Sequence, residues 1–230
     1  MTTIQDNLTI IRKQIDAAAA ACGRNPADIT LVGVSKKHSV EKMRQAIDAG
    51  LTDLGENYIQ EAVDKIEAIG KTEACWHFIG HLQSNKARFA VQYFDLIHTV
   101  DKVKLAKEID KQAKKINKCQ KILLQVNIGE EDTKSGADAE QMVDLARAVT
   151  EFEHLKLQGL MCMPPYFDDP EAARPYFQHL AQIREKILDA GVDADAVRHL
   201  SMGMSHDFAA AIQEGATLVR VGTAIFGSRS

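Results

Sequence analysis

The sequence predicts an α/β protein that folds as a single (β/α)8 TIM-type barrel with an additional N-terminal helix. Short apolar, strand-like segments alternate with amphipathic helical segments along the whole chain, without a linker or low-complexity tract. Eight strand segments can be counted, and 230 residues are enough for one such barrel, so we expect residues 1–230 to form one domain. A doubly wound open sheet is the competing fold, but no G-x-G-x-x-G turn follows the first strand.

The first predicted element is a helix. Thr3 and Asp6 have the spacing of a capping box, apolar residues recur on one helical face from Leu8 to Cys22, and Gly23 suits the C-terminal end. The strands are predicted at 29–35, 53–55, 74–79, 95–99, 121–127, 155–161, 197–201 and 218–221. Amphipathic helical segments between them are predicted at 39–49, 59–69, 102–116, 139–149, 170–190 and 206–214.

Composition excludes several classes of function. The net charge is −4, and the Lys and Arg residues are scattered among Asp and Glu, which leaves no basic surface for nucleic acid or for an anionic membrane. The N-terminus has no basic segment followed by an apolar core, and no apolar run is long enough to cross a bilayer. We therefore expect a cytoplasmic protein that binds neither nucleic acid nor membrane.

The cysteines predict neither a zinc knuckle nor a redox pair. Cys22, Cys75, Cys119 and Cys162 are far apart and form no Cys-x-x-Cys pair. The sequence predicts four buried, reduced thiols.

The first predicted strand is an apolar, β-branched run that ends on Lys36. A lysine at the end of a strand buried on both faces is not explained by packing. In a parallel barrel this end opens into the active-site mouth, where a partly desolvated lysine loses its proton readily and can form a Schiff base with an aldehyde. We therefore predict pyridoxal 5'-phosphate on Lys36, with Lys37 on the opposite face by the period-two rule. The alternative, a lysine that only extends into solvent, is disfavoured by the loops that follow.

Two loops predict a phosphate site. After the seventh strand the hydroxyls of Ser201 and Ser205 flank Gly203, and after the eighth Gly222 and Thr223 precede a short helix. Small residues let backbone N–H groups approach a phosphate, and a helix N-terminus favours an anion. Loops after strands seven and eight are the usual phosphate position in such barrels.

Arg220 is two residues from both Leu218 and Gly222, so the three residues lie on the same face of the strand. Arg220 is therefore predicted to point inward. An inward arginine needs an acceptor, and a pyridine nitrogen would serve. The permanent charge of the guanidinium would keep that nitrogen unprotonated.

No metal site is predicted. His77 and His81 have the spacing of a helical zinc pair, but their surroundings indicate a strand, where residues four apart do not converge as on a helix. His77 is instead expected to line the pocket.

Seven segments together resemble the YggS/PROSC family of pyridoxal phosphate homeostasis proteins, over nearly the whole chain. The Gly-Glu-Asn, His-Phe-Ile-Gly and Ser-Met-Gly-Met-Ser blocks make the resemblance specific. The family is a single barrel similar to the N-terminal domain of alanine racemase. The matching segments are residues 34–36, 55–61, 76–86, 134–136, 159–161, 200–205 and 219–227.

The resemblance implies a role for each matching residue. It makes Lys36 the Schiff-base lysine and places Arg220 at the pyridine nitrogen. One departure is that Lys37-His38 follows the lysine, where Thr is commonly the next residue. The residues implied to cradle the phosphate are Ser201, Gly222 and Thr223, and those in the pocket-lining motifs are Asn57, His77, Met161 and Gly203.

The implied function is vitamin B6 homeostasis: holding the cofactor and buffering it or delivering it to apo-enzymes. We expect no enzyme and assign no catalytic residue, because the sequence ends at Ser230 without the further domain that supplies a tyrosine base in alanine racemases. An arginine at the ring nitrogen would also weaken the ring as an electron sink. The alternative is a small racemase or a related enzyme of amino-acid metabolism. A monomer is expected.

Overall fold

The computed structural model describes residues 3–129 and 136–228. The strands are β1 Thr30–Val34, β2 Asp53–Glu56, β3 Cys75–Phe78, β4 Leu96–Val100, β5 Gln120–Val126, β6 Leu155–Cys162, β7 His199–Met204 and β8 Leu218–Val221. The helices are α1 Ile4–Ala21, α2 Val40–Asp48, α3 Ile59–Ile69, α4 Ala87–Tyr93, α5 Val103–Lys115, α6 Met142–Thr150, α7 Arg174–Asp189, α8 Phe208–Gln213 and α9 Thr223–Phe226.

The strands close into a barrel. Each strand pairs in parallel with the next from β1 to β8, and β8 pairs with β1 through contacts such as Val32 opposite Arg220. The predicted (β/α)8 barrel is confirmed, and the open-sheet alternative is wrong. All carboxyl ends therefore lie on one face, as the site prediction required.

Helix α1 is the additional N-terminal helix. Its capping box forms as predicted, with the Asp6 backbone N–H donating to Thr3 Oγ1 at 3.1 Å and the Thr3 backbone N–H donating to the Asp6 carboxylate at 3.0 Å. The helix is tied to the last barrel unit, because Asn7 Nδ2 donates to the Ile225 carbonyl at 2.9 Å. Arg24 likewise donates to the carbonyl of Ala216 at 2.8 Å.

The start of β7 differs from the prediction. Residues Ala194–Val197 form a 3-10 turn in which Asp193 accepts a hydrogen bond from the Asp195 backbone, so the strand begins only at His199 and continues to Met204. Side-chain capping competes here with strand formation. The strand is displaced towards the C-terminus, and this moves the residues predicted to lie in its loop.

The barrel has two layers of packing. The larger apolar layer lies between the strands and the helices, and Trp76, Phe78 and Phe177 are among its fully buried members. Leu218 belongs to a small separate cluster. Val32, Leu96, Leu123 and Met161 complete this second cluster. Buried polar side chains occupy the same inward positions of the strands, and these create the site.

All four cysteines are free, but the prediction that all are buried is wrong for three. Cys22 and Cys119 are exposed and Cys75 is half-buried, so only Cys162 is fully buried. Cys22 lies beyond the last residue of α1 and Cys119 lies before β5, where apolar periodicity no longer determines burial.

None of the helices within the described ranges is long and apolar enough to cross a membrane.

Candidate functional site

A cavity of about 250 Å³ opens at the carboxyl ends of the strands. Its volume is close to the lower end of the range of about 300–1,000 Å³ that is common for small-molecule sites. Six of the nine sequence-predicted site residues line it: Lys36, Asn57, Met161, Arg220, Gly222 and Thr223.

Lys36 reaches the cavity from a turn. Strand β1 ends at Val34, and the His38 backbone N–H donates to the Ser35 carbonyl at 3.0 Å to close the turn. Lys36 lines the cavity, whereas Lys37 is exposed and has a left-handed backbone with φ of 63°. The structure thus separates the two lysines as predicted, although the turn causes the separation and strand parity does not.

A buried ionic network supports this turn. Lys65 Nζ donates to the Ser35 carbonyl at 2.8 Å, to Glu56 Oε1 at 2.8 Å and to Glu61 Oε1 at 2.6 Å. Glu56 Oε1 also accepts from the Ser35 hydroxyl at 2.7 Å, and the Lys37 backbone N–H donates to Glu61. Burial raises the pKa of Glu56, opposed by the charge of Lys65. The network fixes the backbone on both sides of Lys36.

We expect Glu56→Ala to lower the free energy of unfolding by about 3–5 kcal/mol, because it leaves the Lys65 ammonium buried without its main counter-charge. Denaturant unfolding of the protein without added ligand measures this. Glu61→Ala removes a more exposed partner of the same lysine, so its expected cost is about 1 kcal/mol or less. Equal costs for the two variants would contradict the buried network as the main support of the turn.

The loops after β7 and β8 meet at the other side of the cavity. The Gly222 backbone N–H donates to Ser205 Oγ at 3.3 Å, and Thr223 begins α9. A Cβ on Gly222 would lie 3.2 Å from the Val34 carbonyl oxygen, so a larger residue would have to push the loop and β1 apart by a few tenths of an ångström. Helix α9 has only four residues, and an anion here would depend more on N–H and hydroxyl groups than on a helix dipole.

Three predicted residues do not line the cavity. Ser201 is mid-strand in β7 and fully buried, and its hydroxyl contacts Arg220 and His98. Gly203 has a φ of 88° and faces α8, where a Cβ would lie 2.6 Å from the Cβ of Ala211. His77 lies inside the barrel. The serine hydroxyl of this loop that lines the cavity is that of Ser205, whereas Ser201 lies behind Arg220.

Arg220 is buried at the base of the cavity. Its guanidinium donates to Ser201 Oγ at 2.6 Å and to the Cys162 carbonyl at 2.8 Å. Burial lowers the pKa of Arg220 below its ordinary value, but a guanidinium stays charged in proteins. These contacts use two of its five N–H donors, so others remain for an acceptor in the cavity.

Asn57 supplies a test of ligand fit. Its Oδ1 is buried and has no hydrogen-bond partner among the described residues. A buried acceptor without a donor costs about 1–3 kcal/mol, which a ligand donor would remove. Pyridoxal phosphate carries an aldehyde for Lys36, a ring nitrogen for Arg220, a ring hydroxyl for Asn57 and a phosphate for the Gly222 loop. The residues present therefore fit this cofactor.

Aromatic and apolar residues at the rim were not predicted. Tyr166 is 74% exposed and stacks on His206 with ring centroids 5.7 Å apart, and both line the cavity next to Met163. His38, from the unusual Lys-His pair, also lines it and stacks on Phe226 at 5.2 Å. Tyr166 lies in a loop after β6 that has no strand or helix pattern, so no sequence signal indicated it.

One group of possible metal ligands occurs among the described residues, namely Asp53, Cys75 and His77. Burial, with the nearby charge of Asp53, raises the pKa of the Cys75 thiol to about 12. His77 Nε2 is 2.9 Å from Asp53 Oδ1 and is therefore already hydrogen-bonded. A protonated thiol is a poor metal ligand, and no metal is assigned. His81 is not part of the group.

Comparison with known proteins decides the family. Residues 6–230 match the family described as the alanine racemase N-terminal domain. The chain is 42% identical over 225 residues to the pyridoxal phosphate homeostasis protein of Aquifex aeolicus, which covers 97% of each chain. This chain belongs to the pyridoxal phosphate homeostasis protein family.

Another family member and a solved structure agree with this assignment. The Escherichia coli K12 pyridoxal phosphate homeostasis protein is 42% identical over 236 residues, covering 100% of this chain and 98% of its own length. The structure of PipY from Synechococcus elongatus with PLP bound superposes with a TM-score of 0.78 at 32% identity, covering 93% of this chain and 100% of PipY. The predicted family is confirmed. The matching segment 134–136 lies partly outside the described residues, at Lys134 and Ser135.

Proposed function

We propose that this protein binds pyridoxal 5'-phosphate through a Schiff base on Lys36 and buffers it or delivers it to apo-enzymes. The observation that carries the proposal is that Lys36 and the buried cation of Arg220 line one small cavity, together with the Gly222–Thr223 loop. Relatives of full length are named for pyridoxal phosphate homeostasis, and one was solved with PLP bound.

Each residue has a defined part in this proposal. When bound, the cofactor supplies an aldehyde carbon that reacts reversibly with an amine. Lys36 supplies that amine, and the turn supported by Glu56 and Lys65 orients it. Arg220 donates to the ring nitrogen, and its permanent charge keeps a proton off that atom.

The phosphate is held on the other side of the cavity in this proposal. The Gly222 loop, Thr223 and Ser205 donate to the phosphate oxygens. Asn57 accepts from the ring hydroxyl, and Met161 packs at the ring.

In this proposal the unprotonated ring nitrogen is a weak electron sink, which disfavours decarboxylation and transamination. Relatives are named as homeostasis proteins rather than as enzymes. The alternative, a small racemase, is favoured by one observation: Tyr166 is a tyrosine at the cavity rim. We further propose one domain, a monomer and a cytoplasmic location.

The two functions differ in a measurable rate. We expect slow exchange of the α-proton of L- and D-alanine in deuterated water, followed by NMR, together with measurable transfer of the cofactor to an apo-enzyme. Rapid exchange of both enantiomers that is lost in Tyr166→Phe and in Lys36→Ala would overturn the homeostasis function and establish the racemase.

A further inference from the structure

Five buried or half-buried polar groups form one continuous chain through the inside of the barrel. Arg220 donates to Ser201 Oγ at 2.6 Å, and Ser201 Oγ lies 2.9 Å from His98 Nδ1. His98 Nε2 lies 2.9 Å from His77 Nδ1, and His77 Nε2 lies 2.9 Å from Asp53 Oδ1. This series of hydrogen bonds links the cofactor cavity to the opposite face of the barrel, where Asp53 lines a second cavity of about 270 Å³.

One direction of donation satisfies both ends of this series of hydrogen bonds, and we assign it. An arginine can only donate, so Ser201 Oγ accepts from Arg220, and its O–H is free to donate to His98 Nδ1, the direction that we assign. Burial holds the pKa of His98 well below its ordinary value, so this ring is neutral and carries its proton on Nε2. His77 then accepts at Nδ1 and donates from Nε2 to the Asp53 carboxylate.

The aligned hydrogen bonds help to stabilise the buried charge of Arg220. Burying a cation costs several kcal/mol unless an opposite charge or oriented dipoles compensate for it. Within the described part of the chain, no carboxylate forms an ion pair with Arg220, although the charge of Asp207 acts on it at longer range. Ser201, His98 and His77 each place their acceptor atom on the side of Arg220 and their donated proton on the side of Asp53. The dipoles therefore stabilise both charges.

The Asp53 carboxylate is suited to be the last, charged acceptor of this series of hydrogen bonds. Its Oδ1 faces His77, and its Oδ2 accepts from the Thr52 hydroxyl at 2.6 Å. Burial alone would raise the pKa of Asp53, but the hydrogen bonds from His77 and Thr52 outweigh it and lower the pKa. The carboxylate remains charged near neutral pH.

We propose that Ser201, His98, His77 and Asp53 form a hydrogen-bond relay that positions Arg220 towards the cofactor ring nitrogen, with Asp53 as its remote counter-charge. The inference rests on the proposed function for the identity of the ligand, but the relay itself exists without the ligand. The four residues are positioning residues that act through Arg220. They also explain why polar side chains occupy inward strand positions that barrels usually fill with apolar ones.

The first test uses the protein without cofactor. Nitrogen-15 NMR of the imidazoles is expected to show the His98 proton on Nε2 and no proton on Nδ1 of His77, and Asp53→Asn is expected to shift the Arg220 guanidinium N–H signals. Asp16→Asn is the matched control, since Asp16 lines the same second cavity outside the relay. A proton on Nδ1 of His98, or Arg220 signals that do not respond to Asp53→Asn, would overturn the relay.

The second test compares two ligands: pyridoxal phosphate and its analogue with a CH group in place of the ring nitrogen. We expect Ser201→Ala and Asp53→Asn each to reduce the ratio of the affinity for pyridoxal phosphate to the affinity for the analogue about tenfold. This is the usual size of effect when a residue that supports a ligating group is lost. Asp16→Asn is expected to leave the ratio unchanged. A purely structural role would weaken both ligands equally and would overturn the proposal. If the native protein binds neither ligand, the proposed function fails, while the NMR measurement still decides whether the relay exists.

Discussion

Lys36→Ala is expected to lose the absorbance of the lysine–cofactor linkage completely and to retain no cofactor after borohydride reduction. The reason is geometric, because Lys36 is the lysine among the described cavity-lining residues, and its turn is fixed by the Glu56–Lys65 network. The measurement is the visible absorption spectrum of the variant titrated with pyridoxal phosphate, before and after reduction.

Lys37→Asn is the matched control for this prediction. Lys37 is exposed and has a φ of 63°, a backbone conformation that asparagine tolerates, so its replacement removes an amine without straining the turn. We expect this control to keep the spectrum of the native protein. Loss of the band in Lys37→Asn and its survival in Lys36→Ala would show that Lys37 carries the cofactor instead.

The double variant Ser205→Ala/Thr223→Ala is expected to weaken pyridoxal phosphate binding by a factor of about 10²–10⁴. Each removed hydroxyl is a charge-assisted donor worth about 1.5–3 kcal/mol, before compensation by water and backbone N–H groups. Equilibrium titration followed by absorbance or fluorescence measures the change.

Pyridoxal without a phosphate is the control ligand for the double variant. It should bind the native protein and the variant almost equally, because in the proposed complex the two hydroxyls contact the phosphate and not the ring. A similar loss of affinity for both ligands would mean that the loops act on the ring or on folding, and would contradict the assigned phosphate site.

The sequence contained enough information to predict the fold and the inward arginine. Apolar runs that alternate with amphipathic segments predicted all eight strands, since this pattern reflects burial on both faces of a parallel sheet. The parity of Arg220 with Leu218 correctly predicted an inward arginine, because side chains alternate strictly along a strand. Both predictions depend on local periodicity alone.

The positions of Ser201 and Gly203 differ from the expected loop for one physical reason. The seventh strand was predicted at 197–201, which left Ser201 at its end and Gly203 in the loop. The 3-10 turn at Ala194–Val197 delays the strand to His199–Met204, so Ser201 and Gly203 lie inside it and Ser205 becomes the loop hydroxyl. A displacement of a few residues decides whether a side chain faces a ligand or the core.

Local sequence patterns could not predict the relay. His98 interrupts an apolar strand at an inward position, which is a visible signal of a buried polar group. The other four members of the relay, however, come from four different strands. Their distances depend on the register of the closed barrel, and no local pattern encodes that register.

The central claim is that pyridoxal phosphate is carried on Lys36, and peptide mapping tests it most directly. Native protein saturated with the cofactor is reduced with borohydride, digested and analysed by tandem mass spectrometry. We predict one stoichiometric pyridoxyl-phosphate modification, located on Lys36. Modification of Lys37 or of another lysine in its place, or no modification after reduction, would contradict the account.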